Sequence, residues 1–288
     1  MSILKMEEVK YVYSPNTPFE KVALQEINFS IDQGEFIGLI GHTGSGKSTL
    51  VQHLNGLMKP TEGRVIVNGI NISEKGQNLT DVRRNVGLVF QYPEYQLFEE
   101  TIEKDIAFGP QNLNLSEEEV QRRVKDAMES VGLDFETYRH QSPFELSGGQ
   151  KRRVAIAGVL AMEPQVLILD EPTAGLDPQG RDEILDEIKA IYDRWKISII
   201  LVSHSMEDVA KIANRLIVMD KGKIIMDDTP REIFKREDQL KQVGLGIPQI
   251  TSFMRSLQRS GIPVETDCIT VEEAKTSLEE YLRRQRNA

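Results

Sequence analysis

Near the start of the chain, hydrophobic and polar residues alternate. "LKMEEVKYVY" does so loosely, and "LQEINFSID" sets Leu24, Ile27, Phe29 and Ile31 in step before a turn at Gln33-Gly34. Such runs predict strands. "EFIGLIG" is almost continuously apolar, which predicts a buried strand feeding directly into a glycine-rich loop. A helix is expected from Lys47 to about Gly56, where "GLMKP" supplies a glycine stop and a proline beyond it. "GRVIVNGINI" and "VGLVFQ" predict two more strands, the second ending at Gln91. Between residues 100 and 160 the period lengthens. "SEEEVQRRVKDAMESVGL" opens on a Ser116 cap with Glu119 three positions later, and places Val120, Val124, Ala127, Met128 and Val131 on one face. That marks a helical insertion over about residues 92–160.

"QVLILDEP" and "ISIILVSH" are apolar runs of the kind buried on both faces of a parallel sheet, and "DEILDEIKAIYDRW" is the helix joining them. "RLIVMDKGKIIMDD" predicts a hairpin around Lys221-Gly222. Strands alternating with helices predict an α/β fold with a parallel sheet over residues 1–245. After Pro248, Ile250, Phe253, Met254 and Leu257 form a one-sided helix, and "TVEEAKTSLEEYLRR" begins with a Thr270/Glu273 capping box. Residues 246–288 therefore read as a small C-terminal helical segment. Two such helices have little core of their own, so their apolar stripes are expected to pack on the main domain or on another chain.

Composition narrows the class. The 288 residues are 39% hydrophobic and 28% charged, with one cysteine, Cys268, so no internal disulfide framework exists. No run approaches a membrane span, and "MSILKMEEVK" lacks the apolar run and cleavage site of a signal peptide, so a cytosolic chain is expected. A net charge of −10 argues against a general nucleic-acid surface. Any polyanion this chain binds must meet positive charge concentrated locally.

"GHTGSGKST" at 41–49 supplies that concentration. Gly41, Gly46, Lys47 and Ser48 fit G-x-x-x-x-G-K-[ST] between a buried strand and a helix, where loop amides and a helix N-terminus face phosphates. Lys47 can reach the β- and γ-phosphates, and Ser48 can ligate Mg²⁺. Asp170 ends the run "VLIL" and suits a metal; Glu171 beside it, diverging along an extended strand end, suits an attacking water. Of the four histidines, His42, His53 and His140 read as structural or exposed, whereas His204 ends a parallel strand, where α/β ligands bind. A second glycine-rich stretch, "LSGGQKRR" at 146–153, has no loop lysine and no evident partner for its amides. Arg152 and Arg153 read as the solvated start of a helix.

In this order and context, "GHTGSGKST", "VFQYPEYQLF", "LSGGQKRR", "VLILDEPTAGLD" and "VSH" resemble an ABC transporter ATPase over about residues 3–240. "QYPEYQLF" followed by "DIAFGPQNLNL" resembles the ATPases of energy-coupling-factor transporters, a group that includes cobalt and nickel uptake ATPases. The first loop is similar to that of the second of their two paralogous A subunits. The resemblance implies a P-loop ABC ATPase domain: a RecA-like core, an antiparallel β subdomain and a helical subdomain. It implies ATP and Mg²⁺, with Tyr13 stacked on adenine and Tyr11 as second choice. Gly41, His42, Thr43, Gly44, Ser45, Gly46, Lys47, Ser48 and Thr49 would surround the phosphates, and Ser48, Gln91 and Asp170 the metal. Glu171 would polarise the water, and His204 would hold the γ-phosphate. Asp177 would link the two sites of a dimer, and Ser147, Gly148, Gly149 and Gln150 would address ATP held by the other subunit.

The implied function is the motor subunit of a vitamin or transition-metal uptake system at the cytoplasmic face of the cell membrane. Its implied partners are a second ABC ATPase subunit (itself or a paralogue), a transmembrane coupling T subunit and a substrate-binding S subunit, with no nucleic acid. Other readings stay open at this point: the ATPase of another ABC importer, a soluble ABC ATPase of DNA repair or translation, or a scaffold acting through the C-terminal helices. Repair types insert long coiled coils between the two glycine-rich stretches and translation types duplicate the domain, and neither feature occurs here.

Overall fold

The computed structural model describes residues 2–74 and 76–286, so the last two positions of the predicted C-terminal segment, 287 and 288, lie outside the described residues, as does residue 1. Ten strands are present among the described residues: β1 (Ser2–Tyr13), β2 (Lys21–Asp32), β3 (Phe36–Ile40), β4 (Glu62–Val67), β5 (Ile70–Asn71), β6 (Val86–Val89), β7 (Val166–Asp170), β8 (Ser198–Val202), β9 (Arg215–Asp220) and β10 (Lys223–Asp228). The helices are α1 (Lys47–Leu54), α2 (Thr80–Asn85), α3 (Ile102–Gln111), α4 (Glu117–Ser130), α5 (Phe135–Tyr138), α6 (Gly148–Leu160), α7 (Pro178–Trp195), α8 (Met206–Ile212), α9 (Pro230–Lys235), α10 (Glu237–Gln242), α11 (Gln249–Arg259) and α12 (Val271–Arg286).

The central sheet has the order β10-β9-β3-β8-β7-β6, parallel except at the β9–β10 edge. Its apolar strands are buried on both sides, and the period of two sends alternate residues to opposite cores. Phe36, Leu167, Leu169, Ile199 and Leu201 face one core, which holds the apolar sides of α3, α4, α6, α7 and α8. Ile37, Leu39, Val166, Ile168, Ile200 and Val202 face the other, filled by α1 and an antiparallel sheet of order β2-β1-β4-β5. The helical insertion thus sits on one side of the sheet and the antiparallel layer on the other.

Helix ends follow the chemistry of their first residues. Ser116 accepts from the Glu119 amide at the head of α4, and Ser147 and Gln150 form a reciprocal capping box at the head of α6. The β9–β10 hairpin turns through Lys221 and Gly222, at φ 45° and 77°, the pair of positive angles that a tight hairpin turn requires.

Three expectations are corrected. β6 stops at Val89, so Gln91 stands in a bend beyond the strand rather than ending it. Helix α1 ends at Leu54, because Gly56 at φ 71° already belongs to the turn. The C-terminal helices do have a small core of their own, built from Met254, Val264, Cys268 and Ala274 with Ile250, Leu257, Ile262, Leu278 and Tyr281 around them. The segment is tied to the main body by Ile247 and Ile269, which join the larger core, and by polar links: Arg255 reaches Glu237 at 2.6 Å and the Phe234 carbonyl at 3.2 Å, and Arg231 reaches Glu273 at 2.5 Å.

Candidate active site

Because β3, β6, β7 and β8 run parallel side by side, the segments that follow them emerge along one edge of the sheet. The loop after β3 carries residues 41–46 into α1. Close approach fixes two of its glycines. A side chain on Gly41 would lie 2.5 Å from the Met219 carbonyl oxygen, and one on Gly46, at φ 107°, would lie 2.8 Å from that of Ala23. The hairpin turn braces the loop from below, the Gly222 amide donating to the Ser45 carbonyl at 2.9 Å. Helix α1 has no side-chain cap, which leaves its first amides available to an anion. The Ser45 hydroxyl is buried without a partner, and Thr43, Gly44 and Ser48 are exposed.

Lys47 is 6% exposed and donates to the carbonyls of Gly41 at 2.6 Å and His42 at 3.2 Å. Burial pushes its ammonium pKa down, while Glu171 and Asp170 pull the other way. Asp170 is shifted in the reverse sense. Burial, then the neighbouring Glu171 charge, raises its carboxyl, while Lys47 and a hydrogen bond with Ser48 oppose the rise.

Glu171 is not part of an extended strand end as the sequence suggested. Its φ of 52° turns the chain sharply, and this turn separates its carboxylate from that of Asp170. One Glu171 oxygen lies 2.5 Å from His204 Nε2, and the other accepts from Gln91 Nε2 at 3.1 Å. The segments after β6, β7 and β8 thus meet on a single carboxylate.

The oxygen donors of Ser48, Gln91 and Asp170 are hard ligands of the type that suits Mg²⁺. No cluster of three or more His, Cys, Asp or Glu placed to hold a metal occurs among the described residues. Tyr13 lies against α1, its hydroxyl 3.1 Å from Thr49 Oγ1 and its ring edge-on to Tyr11. His42 turns sideways, with Nε2 2.8 Å from Asp220 Oδ1 and Nδ1 2.7 Å from the Thr43 carbonyl. His53 is fully buried in α1, Nδ1 against the Thr49 carbonyl at 2.7 Å, and His140 is exposed.

The second glycine-rich stretch is elsewhere on the chain's surface. Ser147 and Gly148 are exposed, Gly149 and Gln150 are half-buried, and no hydrogen bond or ion pair joins them to the residues around Lys47. A side chain added at Gly148 or Gly149 would meet nothing within 4 Å. Asp177 caps α7, accepting from the Gly180 amide at 2.7 Å.

Arg152 overturns its reading as solvated. It is 2% exposed, and its guanidinium donates to the carbonyls of Pro172 at 2.7 Å and Ala174 at 3.1 Å. Its companion Arg153 is half-buried against Glu187 on α7. The helical stripe 152, 156, 160, with Ile156 and Leu160 buried, carried the signal for Arg152. Sequence reasoning also missed Asp208, 2% exposed, which accepts from Thr173 at 3.0 Å, Ser203 at 3.4 Å and Arg181 at 2.6 Å. Nothing in "MEDVAK" distinguishes that carboxylate from its neighbours on a helix surface.

A model of the ABC transporter family matches residues 24–174. The energy-coupling factor transporter ATP-binding protein EcfA2 of Clostridium tetani is 62% identical over 96% of both chains, and its counterpart from Caldanaerobacter subterraneus is 60% identical over 99% of both. Among solved structures, cbiO1 from Clostridium perfringens, described as part of the ABC transporter complex cbiONQ, matches with a TM-score of 0.75 at 40% identity, covering 88% of this chain and 99% of its own. The dimeric ATP-binding cassette MJ0796 bound to ADP and Pi matches with a TM-score of 0.69 at 29% identity, over 79% of this chain and 98% of its own.

Proposed function

The chain belongs to the ABC transporter ATP-binding proteins, and within them to the energy-coupling-factor ATP-binding subunits, and from that premise we propose how its residues drive an uptake system. The observation that carries the reading is the meeting of Gln91, Glu171 and His204 on one carboxylate beside the Lys47 loop. ATP binds with its phosphates against the amides of residues 43–49 and the Lys47 ammonium, which leaves its carbonyl partners for the phosphate oxygens. Tyr13 packs on the adenine. His204 and Gln91 fix the Glu171 carboxylate so that it orients a water in line with the γ-phosphorus. That water's oxygen attacks as the bond to the bridging oxygen breaks, and Glu171 takes up its proton. Held by Ser48, Asp170 and Gln91, Mg²⁺ would neutralise charge on the β- and γ-oxygens.

Ser147, Gly148, Gly149 and Gln150 complete the site of a second ATPase subunit, and Asp177 meets that subunit beside them. Supporting this is the isolation of the second stretch from the chain's own loop, together with the open space at both glycines. No helix among the described residues is long and apolar enough to cross a membrane. On this reading the transported vitamin or metal ion passes through membrane T and S subunits, with this chain bound peripherally on the cytoplasmic side. Residues 246–288 form the appended assembly segment.

Ser147→Arg tests the shared site. In the assembled transporter it should abolish phosphate release while leaving binding of a fluorescent ATP analogue to the chain's own loop within about twofold. Retained turnover would show that this chain hydrolyses ATP without the second stretch.

A further inference from the structure

We propose that Arg152 is a positioning residue that couples the two half-sites carried by one chain. The inference rests on the shared-site reading above. Helix α6 begins at the second glycine-rich stretch, and Arg152 lies little more than one turn along it. From there its guanidinium leaves the helix for three destinations. It donates to the Pro172 and Ala174 carbonyls at 2.7 and 3.1 Å, and approaches Glu94 Oε1 at 3.5 Å. Pro172 directly follows Glu171, Ala174 precedes Asp177 by three residues, and Glu94 lies in the turn after Gln91 (Pro93–Gln96).

The opposite side of the same segment is also held. Thr173, between the two carbonyls, donates to Asp208 at 3.0 Å, and Asp208 accepts as well from Ser203, the residue before His204. Residues 172–174 are thus clamped between α6 and the His204 loop, and the α6 side of the clamp is one planar group. A guanidinium fork fixes two acceptors in a set geometry, which a flexible ammonium does not. Arg152 is 2% exposed, so water does not replace its partners, and its Nε and the second oxygen of Glu94 are buried without any. Breaking the fork would leave further buried polar atoms unpaired, so a displacement of the α6 N-terminus carries residues 172–174 with it. ATP of the other subunit, engaging Ser147 to Gly149, then adjusts Glu171 in this chain's own site. Each site fires when the other is filled.

The test uses the full chain in its assembled transporter, with Arg152→Lys as the variant and ATP titrations of phosphate release as the readout. Wild type should give a Hill coefficient above one. Arg152→Lys should reduce kcat at least tenfold and bring the coefficient to about one, while affinity for a fluorescent ATP analogue stays within about twofold. A merely structural role would lower the active fraction without changing the coefficient. Wild-type kcat and cooperativity in a folded Arg152→Lys would overturn the inference. Should that variant not fold, Glu94→Gln replaces it: a lowered coefficient supports the coupling, and an unchanged one overturns it. A wild-type coefficient of one, without ATP-driven association of the subunits, is the distinguishable outcome that removes the shared-site reading and this inference together.

Discussion

Glu171→Gln separates chemistry from binding more sharply than any other single change. The substitution keeps the side chain's length and volume but removes its charge and its capacity to take a proton. Glu171 now offers one oxygen to His204 at 2.5 Å and the other to Gln91 at 3.1 Å. An amide can still accept from one of them, but its NH₂ then faces the other donor. The cost to folding is small, because the His204 and Glu171 side chains are 45% and 20% exposed, and such pairs contribute about 1 kcal/mol or less. The cost to turnover is large. Loss of a general base removes about 10² to 10⁴ in rate, equivalent to roughly 3 to 5 kcal/mol of barrier. Steady-state phosphate release should therefore fall at least a hundredfold while the melting temperature shifts by only a few degrees. ATP should still bind, and the subunits should accumulate in their ATP-associated form by analytical ultracentrifugation. Turnover within tenfold of wild type, with the fold intact, would refute the assignment of Glu171.

Lys47→Met should abolish binding of a fluorescent ATP analogue yet leave the nucleotide-free melting temperature unchanged or higher, since burial already disfavours this ammonium. Gly46→Ala should cost about 1 to 3 kcal/mol by urea unfolding, because its φ of 107° and the Ala23 carbonyl leave no room for a methyl group. Gly148→Ala should leave stability unchanged or slightly raised and lower only turnover, because its surroundings are empty. Glu187 supplies a pH dependence: burial outweighs the pull of Arg153, with Glu183 adding to the rise, and lifts its carboxyl from 4.5 to about 7. The folded chain therefore holds a proton that the unfolded chain releases. This contribution, on the order of 1 to 3 kcal/mol, is fully present below about pH 4.5 and lost as pH rises through 7. Denaturation midpoints of Glu187→Gln across that range should lack this fall relative to wild type.

Where a residue's role depends on its own strand or loop, the sequence was readable. The apolar runs ending at Ile40, Asp170 and Val202 are long enough to be buried strands, and the polar residues beyond them emerge at one sheet edge because the strands are parallel. Glu171 and His204 could be nominated from that placement alone, whereas Gln91 entered only through the family resemblance. The contact of all three with one another could not be read, because it depends on the φ of 52° at Glu171 and on Gln91 lying in a bend after β6. Asp208 was opaque for a related reason, and Arg152 was marked only by its stripe with Ile156 and Leu160. A charged residue on a helix is ordinarily solvated, and only the packing of other segments decides which one is buried. The small core joining α11 and α12 was likewise invisible, since it draws Val264 and Cys268 from the connecting segment rather than from either helical stripe.

The two glycine-rich stretches are constrained from opposite directions. Gly41 and Gly46 are held by neighbours in their own chain, the Met219 and Ala23 carbonyls, so folding alone requires glycine there. Gly148 and Gly149 have ordinary negative φ angles and no neighbour within reach of a side chain, so folding requires neither. Alanine would serve the helix better at both positions, since it is the stronger helix former. A backbone left bare at an exposed, well-capped helix start supports close approach by something outside the chain, and free amides at that position favour an anion. The glycines of the first stretch thus belong to folding and binding together, whereas Gly148 and Gly149 contribute nothing evident to the isolated subunit. On the proposed shared-site reading their purpose is served across an interface, and among the side chains of α6 it is Arg152 that reaches the segment after Glu171 by direct hydrogen bonds.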